Sequence, residues 1–169
     1  MKIVLAKYNP EWKILFETEK LLLSQILSKI EIEHIGSTAV EGLAAKPVID
    51  IMMGLNDFNL ANELIQKIEN MGYSYVSKYE DTMPYRRFFT KDSNKKRTHQ
   101  IHMVEIESDF WAKHLFFRDY LRMNKADRDK YSALKQELST HDWKDVDEYA
   151  NAKTSFIKSI VSKMEKTNR

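Results

Sequence analysis

His34-Ile35-Gly36-Ser37-Thr38-Ala39-Val40-Glu41-Gly42-Leu43-Ala44-Ala45-Lys46-Pro47-Val48-Ile49-Asp50-Ile51 is the stretch from which the rest of the chain can be arranged. A β-branched run ends in Gly36-Ser37, a short helical segment follows, and Pro47 opens a second apolar run with Asp50 inside it. A carboxylate in the middle of an apolar strand is costly unless it is paired or holds a metal. A Gly-Ser at a strand-to-helix turn offers backbone N–H groups, a usable seat for phosphate. The short connection keeps these two features close together.

Outward from this stretch the periodicities fall into place. Upstream, Asn9-Pro10 reads as a helix start, and Trp12, Leu15, Phe16, Glu19, Leu22, Leu23 and Ile26 recur at helical spacing through about Ser28. Ile30–Ile35 is the first strand, with Ser37 or Thr38 capping a short helix over Ala39–Ala45. Pro47–Met53 is the second strand, closed by Gly54; Asn56 or Asp57 then caps a helix ending at Gly72. Tyr73–Tyr79 reads as a strand, and Tyr85–Lys91 with Thr98–Glu105 as a hairpin around Asp92-Ser93-Asn94-Lys95. Ser108 or Asp109 caps a helix over Phe110–Met123, and helical segments follow at about Asp127–Leu138 and Val146–Lys166. The order predicts an α+β fold: a small mixed β-sheet covered by helices, with a helical C-terminal third.

Length and composition bound the function. A chain of 169 residues, 43% hydrophobic and 31% charged, fits one globular domain over 1–169. There is no Cys, so any metal must sit on oxygen or imidazole. The N-terminus has no secretory signature and no apolar run is long enough for a bilayer, so the expectation is a soluble cytoplasmic protein without a membrane partner. A net charge of +2 is too small to argue for nucleic acid. The densest basic stretch, Arg86 to Arg97, contains six cations against the single Asp92.

Strand parity selects the residues that share a cleft. Ile49, Ile51 and Met53 mark the core face of the second strand, leaving Val48, Asp50 and Met52 on the other. In the late strand Ile101 and Met103 mark the core, so Gln100, His102 and Val104 turn toward the side of Asp50. This pairs Asp50 with His102 rather than His99. Adjacent Arg86 and Arg87 point to opposite faces of a regular strand, so at most one reaches the cleft.

The run His34-Ile35-Gly36-Ser37-Thr38-Ala39-Val40-x-Gly42-Leu43-x-Ala45-Lys46-Pro47-x-Ile49-Asp50 resembles the signature of the GrpB family, assigned to the nucleotidyltransferase-like fold. Arg86-Arg87-Phe88-Phe89, Arg97-Thr98-His99-x-x-His102, Phe117-Arg118-Asp119-Tyr120-Leu121-Arg122 and Tyr149-x-x-Ala152-Lys153 are similar to its later motifs, in the same order. The resemblance spans nearly the whole chain. In that superfamily a Gly-Ser opens a helix, an Asp-x-Asp/Glu follows on the next strand, and a third acid stands on a later one. The carboxylates hold metals that activate a hydroxyl against a nucleoside triphosphate. Here the second acidic position is Met52, whose thioether cannot hold Mg²⁺, and the third position offers His102 or Gln100.

Two function classes follow. In the first, Gly36, Ser37, Thr38, Lys46 and one of Arg86 and Arg87 bind the phosphates of a nucleotide or another phosphorylated small molecule. Asp50 with His102 then holds one divalent cation, Mg²⁺ or Mn²⁺, and His102 serves as general base for nucleotidyl transfer to a small molecule. In the second, the site is degenerate and the protein is a non-catalytic accessory module for a nucleotide, coenzyme or RNA. Each residue also has a plainer reading. Gly36-Ser37 is then an ordinary turn, Asp50 a salt-bridge partner of Arg86 or Arg87, Lys46 a solvated lysine, and His102 a satisfied sheet histidine. His34 shares its strand face with Ile30 and Ile32 and reads as buried and hydrogen-bonded. His114 and His141 read as surface or cap residues. Tyr120, Lys153 and Phe156 read as packing, with Lys153 alternatively lining the cleft.

Overall fold

The computed structural model describes residues 1–167. Five strands form one mixed sheet in the order β1-β2-β5-β4-β3. They are β1 (Glu31–Ile35), β2 (Ile49–Leu55), β3 (Ser74–Tyr75), β4 (Arg87–Ser93) and β5 (Lys96–Glu105). The central pair, β2 and β5, runs parallel; the remaining neighbours are antiparallel. Helices α1 (Glu11–Ile26) and α2 (Ala61–Glu69) cover one face, where Trp12, Phe16, Leu23 and Ile68 meet Ile49, Ile51, Met53, Ile101 and Met103. On the other face Trp111 of α3 (Asp109–Met123) packs on Ile35, Met52 and Val104. Helices α4 (Lys125–Ser139), α5 (Val146–Ala152) and α6 (Thr154–Thr167) extend this second layer. No helix among the described residues is long and apolar enough to cross a membrane.

Local chemistry explains the element boundaries. Asn9 Oδ1 accepts from the Glu11 N–H at 3.0 Å, and Ser108 Oγ from the Trp111 N–H at 3.3 Å, so both helices begin on side-chain caps. The buried stripe of α1 is Trp12, Phe16, Glu19 and Leu23, while Leu15 and Leu22 face outward at 47% and 43% exposure. Glu19 is tolerated inside because the Tyr73 hydroxyl and the Lys91 ammonium each donate to it at 2.8 Å.

Four expectations are corrected. The short helix over Ala39–Ala45 is instead one 3₁₀ turn at Ser37–Ala39, capped by Gly36. Val40 and Leu43 are drawn into a cluster with Leu121 and Tyr131, while Ala45 pairs with Ala6, and one helix cannot satisfy both demands. Gly54 does not end β2 but lies inside it, where a Cβ would stand 2.5 Å from Ile106 and 2.6 Å from Trp111. Only Ser74–Tyr75 of the Tyr73–Tyr79 run forms a strand; a 3₁₀ turn takes over at Ser77. The last helix is two helices, broken at Lys153.

Candidate functional site

Asp50 and His102 meet on the same face of the sheet, as strand parity predicts. Asp50 Oδ1 lies 3.3 Å from His102 Nε2, and His102 Nδ1 lies 3.2 Å from Arg86 Nη1. Because a guanidinium can only donate, Nδ1 accepts and Nε2–H donates, giving a chain Arg86 → His102 → Asp50. The imidazole sits between Phe88 and Phe110, with ring centroids at 5.1 and 5.7 Å. Arg86 lies over Tyr79 and Phe88 at 5.3 and 4.8 Å, and its buried Nε has no hydrogen-bond partner among the described residues. Arg87 turns away to Asn62 Oδ1 and the Pro84 carbonyl at 2.9 Å each, so Arg86 is the one that reaches the cleft.

Gly36 brings the turn against Asp50. Its φ is +74°, and a Cβ there would lie 2.8 Å from Asp50 Oδ2, so both the conformation and the space require glycine. The turn's own hydrogen bonds use the N–H groups of Ala39 and Val40, which leaves those of Ser37 and Thr38 at its open end. The Thr38 side chain is committed elsewhere: its hydroxyl donates to the Val48 carbonyl at 3.3 Å and meets His34 Nε2 at 2.9 Å. His34, stacked on Phe16, is buried as expected, and burial lowers its pKa to about 4.

The residue that sequence reasoning missed is Lys135. It is 2% exposed, and its ammonium donates to Ser37 Oγ at 2.9 Å and to the Ala44 carbonyl. No carboxylate forms an ion pair with it among the described residues. Burial, with the charge of Lys153 adding to it, holds its pKa down to about 7. The signal was present in α4, where Tyr131, Lys135 and Leu138 follow helical spacing and all three are buried. Lys153, read mainly as packing, lies at the break between α5 and α6 with its ammonium 4.3 Å from the Tyr149 ring centroid, near enough to the cleft for the charges of Asp50 and Lys46 to act on it. Burial lowers it to about 8, against the attraction of Asp50 and with the repulsion of Lys46. Lys46 is itself lowered by burial, while Asp50 raises it.

Ser37, Lys46, Asp50, Gln100 and Lys135 line a cavity of about 110 Å³. Past Lys46, Gln100 and Val146 it continues into a space of about 720 Å³ bounded by Tyr79, Arg86 and Phe88. The Tyr79 hydroxyl donates to Asp147 at 3.0 Å, so the start of α5 bridges the outer part. His114, expected at the surface, instead stacks on Phe110 at 3.8 Å and lies 6.5 Å from His102; burial, then the neighbouring His102, lowers it to about 4.

The donor set does not fit a two-metal centre. Asp50 is the lone carboxylate lining the inner cavity, and Met52, where a second acid is needed, is fully buried against Ile35, Val104 and Trp111. No group of three His, Asp or Glu side chains able to hold a metal exists among the described residues. The inner cavity sets the two amines Lys46 and Lys135 around the single carboxylate of Asp50, and the outer space adds Arg86 and Lys78 opposite Asp145 and Asp147.

Comparison with solved structures places the fold. The crystal structure of the conserved protein GrpB from Enterococcus faecalis superimposes with a TM-score of 0.85 at 34% identity, covering 98% of this chain and 99% of that one. A Cid1 poly(U) polymerase structure with Mg 3′-dATP bound matches at a TM-score of 0.53 and 13% identity, over 82% of this chain and 43% of that chain. This second likeness establishes a nucleotidyltransferase-like fold and nothing further. The glutamate-rich protein GrpB of Alkalihalophilus pseudofirmus is 34% identical, with 96% of each chain covered. A UPF0157 protein of Halalkalibacterium halodurans is 33% identical over 98% of this chain and 84% of its own. The family profile described as GrpB protein matches residues 2–163, and the chain belongs to the GrpB family.

Proposed function

We propose that the cleft binds the phosphates of a nucleotide or a related phosphorylated small molecule. The observation that carries this reading is Lys135, an ammonium buried on Ser37 with no carboxylate paired to it among the described residues and with Lys153 near enough for its like charge to act on it. Such a pair of amines is stabilised by an anion placed between them. Ser37 and the Ser37 and Thr38 N–H groups would meet the same phosphate, Lys46 and Arg86 the remaining negative charge. The aromatic walls at Tyr79 and Phe88 would take the organic part of the ligand. Asp50 holds the His102 ring through Oδ1, and its Oδ2, with no hydrogen bond among the described residues, would accept from a ligand hydroxyl.

A metal-dependent transferase is the second reading, favoured by the fold and by the position of Asp50. Asp50 and His102 would supply two ligands to one Mg²⁺ or Mn²⁺, which when bound would stabilise phosphate charge. Both His102 nitrogens are already engaged, so service as a general base requires breaking the Arg86–His102–Asp50 chain. Binding without turnover therefore fits the residues better, in a soluble, cytoplasmic setting.

Calorimetric titration with ATP, GTP, CTP and UTP, each with and without Mg²⁺ or Mn²⁺, separates the two readings. The expected result is binding that persists without metal and weakens at least about tenfold in Lys135→Met, the order of one charge-assisted hydrogen bond. Binding that requires metal, vanishes in Asp50→Asn and releases pyrophosphate would establish the transferase. No binding of any nucleotide, or equal binding by Lys135→Met, would overturn the assignment.

A further inference from the structure

The motif Phe117-Arg118-Asp119-Tyr120-Leu121-Arg122 contributes nothing to the cleft around Asp50. The four-residue spacing puts Arg118 and Arg122 on one side of α3, where they line a separate groove of about 800 Å³. Its floor is the edge strand β1 at Ile32 and His34; its opposite wall is α1, which presents Lys13 and Lys20. Arg128 of α4 completes the set of five cations, against Glu17, Glu33 and Glu41.

Carbonyls rather than carboxylates make the shortest contacts to two of these five cations. Arg122 donates from Nε and Nη2 to the Ala39 carbonyl at 3.0 and 2.8 Å, with Asp119 farther away at 3.5 Å. Arg128 donates to the Leu121 and Arg122 carbonyls at 3.1 and 3.2 Å. Arg118 alone is well neutralised, by Glu33 at 2.6 Å and Asp119 at 2.8 Å. Arg122 is lowered chiefly by burial and then by the repulsion of Arg118, against the attraction of Asp119 and Glu33. Pinning the Ala39 loop explains Arg122 structurally, but it does not explain Lys13 and Lys20 on the facing wall.

We propose that this groove is a second ligand site, for a small molecule carrying two or more phosphate or carboxylate groups. Its volume is that of a drug-sized ligand site. Guanidinium groups held by carbonyls keep their remaining donors oriented at no cost on binding, and Lys13 and Lys20 reach a second anionic group across the groove. Thr38 lines both this groove and the inner cavity, so the two sites share a wall. The inference stands apart from the nucleotide reading.

Amide ¹H–¹⁵N spectra of the whole protein, titrated with inorganic tripolyphosphate and separately with citrate, test it. Expected are saturable shifts at Ile32, His34, Glu41 and Gly42 with at least one of the two anions. The arm that saturates distinguishes a phosphate ligand from a carboxylate one. The double variant Lys13→Gln/Lys20→Gln, which changes only α1 positions that cap no backbone, should weaken those shifts at least fivefold and leave shifts at Ser37, Asp50 and Gln100 as they were. Lys135→Met should do the reverse, so failure at one site is read independently of the other. Absence of saturable shifts at the β1 edge with both anions, or equal affinity in the double variant and in Arg128→Gln, would overturn the proposal.

Discussion

Burial holds Lys135 near 7, whereas the same amine in an unfolded chain titrates near 10.5. Between those values the unfolded chain carries a proton that the folded protein lacks, so folding stability rises with pH across this window and is lowest at and below pH 7. Lys153, lowered to about 8, acts in the same direction. The unfolding free energy from urea melts should therefore climb between pH 7 and about 9.5. Lys135→Met should remove a large part of the climb and raise stability at pH 7 by an amount on the order of 1 kcal/mol or more. A flat profile in the wild-type protein would contradict an unpaired buried amine. The same reasoning makes anion binding proton-linked: at pH 8 a bound phosphate should draw a proton onto Lys135 or Lys153. Calorimetric enthalpies in buffers of different ionisation heat would then differ, and identical enthalpies would count against direct phosphate contact. At Gly36 the prediction is steric. Gly36→Ala places a methyl 2.8 Å from Asp50 Oδ2 at a positive φ, and should cost about 1–3 kcal/mol in chemical denaturation.

Among the elements, β2 and β5 were readable and the loop between β1 and β2 was not. Alternation located Asp50 beside His102 because both strands stay in register through that region; the irregularity in the β4–β5 pairing lies at Lys91/Asp92, near the hairpin tip. The loop fails as a helix through tertiary forces: Val40 and Leu43 are captured by α3 and α4, which no local propensity records. Lys135 is overlooked for the opposite reason. Its helix was correctly expected, but a lysine in a helical stripe reads as solvent-facing unless its neighbours at three and four residues are checked for burial. Gly54 similarly looked like punctuation and is a packing requirement. Gly54→Ala should destabilise by about 1–3 kcal/mol or more through the contact with Trp111 and Ile106, with tryptophan fluorescence reporting the displaced indole.

At the scale of the whole molecule, the sheet supplies Asp50 and His102 and the segment leading into β4 supplies Arg86, while the C-terminal helical layer supplies Lys135, with Lys153 nearby. The hydrogen bond from Tyr79 to Asp147 ties these halves together across the outer cleft. Tyr79→Phe should speed hydrogen exchange of α5 amides several-fold while leaving β2 and β5 protected, since only an exposed contact is lost. Unchanged exchange in α5 would show that packing at Tyr149, not this bond, holds the helix. The separations along the chain carry a kinetic consequence. Asp50 and His102 are 52 residues apart, Ser37 and Lys135 are 98 apart. Loop closure grows only logarithmically, so the longer link costs about 0.6 kcal/mol more than the shorter one, too little to impose an order of assembly. If the cleft binds phosphate as proposed, ligand competence should thus emerge together with the fold in one step of refolding, and a nascent chain released before Lys135 would own a sheet but no anion seat.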